Sequence, residues 1–105
     1  MANGLLGKKA IPGNNTDTVL FTVPAGKVCT FHLNIFNRTT NATIDASVFV
    51  GTGVTDDDAF DGGPINPRDV LERTKVVAYA GEKVTVRAPV AGLTAQARGF
   101  EEDAA

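Results

Sequence analysis

The chain has one cysteine and one histidine, so any chemistry built on these two residue types must use Cys29 and His32. They lie in the run Lys27-Val28-Cys29-Thr30-Phe31-His32-Leu33-Asn34-Ile35-Phe36. Cys29, Phe31, Leu33 and Ile35 alternate there with Thr30, His32 and Asn34, which is the period of a half-buried strand. Residues three apart on a strand point to opposite faces, so Cys29 and His32 cannot form a nucleophile–base pair. Cys29 falls on the apolar face and reads as a buried structural thiol. His32 falls on the polar face and reads as a surface or interface residue. One His and one Cys also argue against a zinc site within a single chain.

The acidic stretch Asp56-Asp57-Asp58-Ala59-Phe60-Asp61-Gly62 raises the question of calcium, which takes several oxygen ligands in a bent loop. The spacing of an EF-hand fails: counted from Asp57, the third position is Ala59 and the twelfth is Arg68. The reading is a solvated acidic loop, with a looser site on Asp56, Asp58 and Asp61 as the alternative. Gly51-Thr52-Gly53 is not followed by a clear helix, which disfavours a phosphate loop. Asn14-Asn15-Thr16, Asn37-Arg38-Thr39 and Asn41-Ala42-Thr43 fit the glycosylation pattern. The N-terminus places its lysines after an apolar pair, unlike a signal peptide, so these sites are expected to be unused. No catalytic constellation is present. The expectation is no enzyme activity, no cofactor and no metal.

At 105 residues the chain makes one domain, and 43% apolar with 21% charged residues is ordinary for a globular protein. A net charge of −2 argues against a nucleic-acid surface, which is strongly basic. No apolar run approaches the roughly 20 residues of a membrane helix. A lone cysteine makes no internal disulfide, which fits synthesis in a reducing compartment.

The elements that must position these residues read as short strands. Thr18–Val23 and Lys27–Phe36 are predicted to pair as a hairpin across Pro24-Ala25-Gly26, where Pro presets φ and Gly supplies a positive φ. Thr43–Val50, Asp69–Lys75, Lys83–Ala88 and Leu93–Phe100 follow, with Val76–Tyr79 either continuing the strand before it or starting the next, which makes seven or so strands. Residues 51–68 are expected to be a long connection holding at most one helical turn near Thr55–Ala59. Val23-Pro24-Ala25-Gly26-Lys27-Val28 and Ala78-Tyr79-Ala80-Gly81-Glu82-Lys83-Val84 share a pattern, read as one hairpin solution used twice. Turns this short require antiparallel pairing. The predicted fold is all-β, an antiparallel β-sandwich of immunoglobulin-like or jelly-roll-like type, spanning residues 18–102.

Residues 1–17 read as an extended N-terminal arm, and 103–105 as the end of an acidic, solvated tail. The arm carries Leu5, Leu6, Lys8, Lys9 and Ile11. Such a segment cannot bury enough apolar surface alone to offset its ordering entropy. Two readings follow: a frayed tail that partly joins an edge strand, or an arm that docks on a neighbouring subunit or the shell of an assembly. The second is carried forward, with removal of residues 2–11 expected to leave the sandwich folded. Phe49, on the nominally outer face of its strand, and Phe60 are further candidate interface residues.

An ordered set of motifs adds to this reading. Val19-Leu20-Phe21-Thr22-Val23-Pro24-Ala25-Gly26-Lys27-Val28 is followed by Asn34-Ile35-Phe36-Asn37-Arg38 and then by Val70-Leu71-Glu72-Arg73-Thr74. Ala80-Gly81-Glu82-Lys83-Val84-Thr85-Val86-Arg87-Ala88 and Gly99-Phe100-Glu101-Glu102 complete it. Over Val19–Glu102 the chain resembles small structural proteins of tailed bacteriophages. The resemblance implies a non-enzymatic virion component, a decoration or tail-associated subunit, assembled in the host cytoplasm. It implies homo-oligomers and other virion proteins, capsid or tail subunits, as partners, with no nucleic acid and no membrane. The alternative is a module of a phage tail or fibre that binds host-surface carbohydrate. That role favours clustered exposed aromatics, for which Tyr79, Phe49 and Phe60 are the candidates.

Overall fold

The computed structural model describes residues 3–103. Eight strands follow in order: β1 Asn3–Ile11, β2 Thr18–Thr22, β3 Lys27–Asn37, β4 Ile44–Gly51, β5 Ala59–Ile65, β6 Val70–Tyr79, β7 Lys83–Arg87 and β8 Leu93–Asp103. They form two four-stranded antiparallel sheets, β1-β8-β3-β6 (sheet A) and β2-β7-β4-β5 (sheet B). The pairing is nested: first strand with last, second with seventh, third with sixth, fourth with fifth. This all-β, two-sheet arrangement is compatible with the β-sandwich expected from the sequence. No helix among the described residues is long and apolar enough to cross a membrane.

The alternation of β3 sets the core. Cys29, Phe31, Leu33 and Ile35 are buried, together with Val76 and Ala78 of β6 and Leu93, Ala95 and Ala97 of β8. Sheet B meets them with Leu20, Ile44, Ala46, Val48, Val84 and Val86. Phe21 of β2 packs edge-on against Phe31 of β3 with ring centroids 5.1 Å apart, a favoured aromatic geometry.

The predicted hairpin is not one. Gly26 does take a positive φ of 76°, and the amide of Lys27 bonds the Pro24 carbonyl at 3.2 Å, so the turn chemistry is as expected. Yet β2 belongs to sheet B and β3 to sheet A, so the turn is a corner that carries the chain between layers. Ala80-Gly81 does the same in reverse between β6 and β7, with Gly81 at φ 85°. The two corners are bonded to each other. The Val23 amide donates to the Glu82 carbonyl at 2.9 Å, and the Gly81 amide donates to the Val23 carbonyl at 3.0 Å. The shared sequence pattern thus marks one corner solution used twice, side by side.

Three further expectations change. The N-terminal segment is not a separate arm from Asn3 on: Asn3–Ile11 is β1, paired with β8 and ending in Ile11, only 1% exposed. Gly7 permits this, because β1 runs so close to β2 that a Cβ there would overlap the Leu20 carbonyl. The connection 51–68 contains a 3-10 turn at Asp56–Asp58, within the expected span, but also β5. Gly62, Gly63 and Pro64 hid that strand, and they are tolerated because β5 is an edge. Finally, Glu101, Glu102 and Asp103 extend β8 opposite Cys29, Val28 and Lys27. Met1, Ala2, Ala104 and Ala105, the ends of the expected arm and tail, lie outside the described residues.

Candidate interaction surface

The outer face of sheet A is built from the side chains that alternate with the core. The register lays them in rows across the sheet. Thr30 of β3 sits between Phe100 of β8 and Val77 of β6; the next row holds Glu102, Val28 and Tyr79. On the other side, His32 lies beside Arg98, and Arg98 beside Leu5 of β1. Leu5, Val77, Tyr79 and Phe100 are all exposed on this face, Tyr79 by 63%.

A bulge shapes the surface. Between Phe31 and Leu33 of β3 the facing strand β6 carries an extra residue, and Lys75 there takes a φ of 59°. A positive φ is unusual for a lysine and is held by the ladder on either side. Beside the bulge a groove of about 380 Å³ opens, lined by Thr30, His32, Lys75, Val77, Gly99 and Phe100. Gly99 lies tight against β3: a Cβ there would overlap the Thr30 carbonyl and the Phe31 backbone. The groove is therefore apolar along its wall, with Val77 and Phe100, and cationic at its rim, with Lys75. Arg98 Nε donates to Gln96 Oε1 at 3.2 Å. Lys75 and Arg98 have no carboxylate partner among the described residues. Glu72 and Glu102 stand in the rows beyond the groove, opposite Asn34 and Val28, and Glu101 lies opposite the inward-facing Cys29.

The candidate interface residues scatter. Leu5, Lys8, Lys9 and Phe60 are exposed. Leu6 is partly buried against the core, because the β1 bulge turns it inward while Leu5 points out. Ile11 is in the core and cannot serve as a contact. Phe49 is 8% exposed, so the outer-face contact read for it is replaced by a local packing role. The Arg87 guanidinium lies over its ring at 4.8 Å, and Arg87 Nε is itself held by Asp17 Oδ1 at 2.7 Å. Phe60 is 47% exposed at the start of β5.

Sequence reasoning missed Val77 and Phe100. The signal was there: Val76 and Ala78 face inward, so Val77 and Tyr79 must face outward. Likewise Ala95 and Ala97 inside place Arg98 and Phe100 outside.

The chemistry-bearing residues are spoken for locally. Cys29 is buried, and burial pushes its thiol pKa up, with the nearby Glu101 charge adding to the effect. Asp58 Oδ2 accepts from the Thr55 amide at 3.3 Å and its hydroxyl at 2.9 Å. Asp61 is paired with Arg73 of β6. Among the described residues no three His, Cys, Asp or Glu side chains gather as a metal site would need. Asn37 is 0% exposed, so the sequon that begins with it is closed to modification.

No family model, no curated protein and no solved structure matches the chain.

Proposed function

We propose that this chain is a non-enzymatic adhesion subunit, a virion structural protein of the decoration or tail-associated kind found in tailed bacteriophages. The observation that carries the reading is the open outer face of sheet A, where Leu5, Val77, Tyr79 and Phe100 present large apolar side chains to solvent. Val77 and Phe100 share one groove, with Tyr79 in the next row, and apolar side chains grouped in this way on a small domain mark a place where another macromolecule docks. The ordered motifs from Val19 to Glu102 supply the virion part of the proposal by resemblance.

The finer fold belongs to the same reading. Nested pairing of eight strands, folded over once into two sheets, is the plan of a jelly roll, an architecture used by viral capsid and lectin domains. Fold alone does not assign function, so this supports the proposal by analogy. The partners are other copies of the chain and neighbouring capsid or tail subunits, with assembly in the host cytoplasm.

The test is to purify particles from cells that make the protein, quantify the chain by mass spectrometry and locate it by imaging of labelled particles. Many copies at fixed sites on the particle are expected. A chain found only free in the lysate overturns the reading. The exposed ring of Tyr79 favours a second reading, recognition of host-surface carbohydrate. A glycan array hit that is lost with Tyr79→Ala would put that role in its place.

A further inference from the structure

We propose that copies of this chain join by inserting Phe60 of one copy into the groove beside Lys75 of the next. The inference concerns self-association and does not depend on the virion reading.

Phe60 is a projecting apolar side chain at the start of β5, exposed by 47%. It is also preset. The 3-10 turn Asp56–Asp58 leads directly into β5, Asp58 bonds Thr55, and Asp61 is paired with Arg73. A side chain held on such a base loses less freedom on binding than one on a loose loop. The sequence around it is strongly acidic, with Asp56, Asp57, Asp58 and Asp61 within six residues. Asp57 is exposed and has no cationic partner among the described residues.

The groove has the complementary character. Val77 and Phe100 offer an apolar wall with room for a ring, within a volume of about 380 Å³. Lys75 stands at its rim and Arg98 beside His32 on the same face, neither paired with a carboxylate among the described residues. An aromatic ring beside the unpaired Asp57 carboxylate matches an apolar slot with Lys75 at its rim. Like-charged pairings would be repelled, so the fit also selects this partner over others.

Phe60 does not line the groove of its own chain. It lies on sheet B, whereas the groove opens on the outer face of sheet A. The contact must therefore run between copies, with knob and slot as two different patches. A contact of that kind can repeat from copy to copy.

The experiment is sedimentation velocity over a concentration series, with circular dichroism to confirm that each variant is folded. The proteins are wild type, Phe60→Ser, Val77→Glu, and a one-to-one mixture of the two variants. Wild type is expected to associate with rising concentration, and each variant alone to bind about tenfold or more weakly. The mixture is expected to recover a heterodimer, because the intact knob of Val77→Glu fits the intact groove of Phe60→Ser. If Val77→Glu does not fold, Lys75→Glu takes its place. Its lost association should return on mixing with Asp57→Lys. A wild type that stays monomeric to millimolar concentration overturns the proposal. So does Phe60→Ser that associates like wild type, or a mixture that recovers nothing.

Discussion

Asn37 shows how much one side chain settles. It ends β3 fully buried, and its amide group is completely used. Nδ2 donates to the carbonyls of Ala42 at 2.7 Å and Ile65 at 2.9 Å, while Oδ1 accepts from the Thr39 amide at 2.9 Å and the Thr39 hydroxyl at 2.7 Å. Its backbone exchanges bonds with Asp69 and Arg68. Asn37→Ala would take the side-chain donor from the buried Ile65 carbonyl and the acceptor from Thr39, and we expect a loss of about 3 kcal/mol in chemical denaturation. Cys29 gives a second test. Buried, with a raised thiol pKa, it should react with a thiol reagent only as fast as the protein opens. Labelling of native protein at the rate of the unfolded chain would contradict the assignment of strand faces. Alternation alone placed Cys29 inside and His32 outside. It could not show the work of Asn37, because a buried Asn at a strand end and a solvated Asn in a turn look alike in a sequence.

At the level of elements, β1 differs most from what its composition suggests. Asn, Gly and Lys made residues 3–11 look loose, yet Leu6 and Ile11 close the core and β8 supplies a ladder. Deleting residues 2–11 should therefore strip an edge from sheet A and expose Leu93, Ala95 and Ala97. We expect an aggregating or unfolded product by circular dichroism and light scattering; a soluble, cooperatively melting one would restore the arm. Gly7→Ala should weaken the same contact by about 1–3 kcal/mol in thermal or denaturant melts, since Leu20 leaves no space for a Cβ. The last residues of β8 carry a pH-dependent tie. The bond from Lys27 to Asp103 lowers the Asp103 pKa and raises that of Lys27. Its contribution is present above the ordinary carboxylate range and fades as pH falls through the lowered Asp103 value. It fades again as pH rises through the raised Lys27 value. The protection of the Glu102 and Asp103 amides relative to an unfolded chain at the same pH should fall at the acid limit, and Lys27→Met should abolish that dependence. Turn chemistry was read correctly at Pro24-Ala25-Gly26, but a turn does not disclose whether the next strand returns to the same sheet.

At the level of the whole molecule, the nested order sets the folding problem. β1 and β8 come from opposite ends of the chain and pair along nearly their full length. Such non-local pairing must meet loop-closure entropy before contacts reward it, so folding in milliseconds to seconds is expected in stopped-flow refolding. Microsecond folding would argue against this topology. The two-layer, all-β character was legible because six strands alternate or sit between Gly and Pro turns. The strand order was not, since pairing partners are set by packing across the molecule. The candidate surface was half legible: Tyr79 and Phe60 stood out by type, while the groove depends on the Lys75 bulge, which no residue type announces.

The pairing of β1 with β8 also fixes where the chain can be cut and rejoined. Asn3 lies opposite Phe100, so Asp103 stands only about 10 Å farther along the strand. The connection Pro12–Asp17 lies at the opposite end of the molecule, where its Asn14 and Asn15 amides bond Pro89 and Ala88. A circular permutant joining residue 103 to residue 3 through a short Gly-Ser bridge, with new ends opened in 52–54 between β4 and the 3-10 turn, should keep every strand in place. Passengers fused before residue 3 and after residue 103 of the natural order should emerge side by side. Energy transfer between two fluorophores attached there, high in the folded protein and lost in denaturant, would report it.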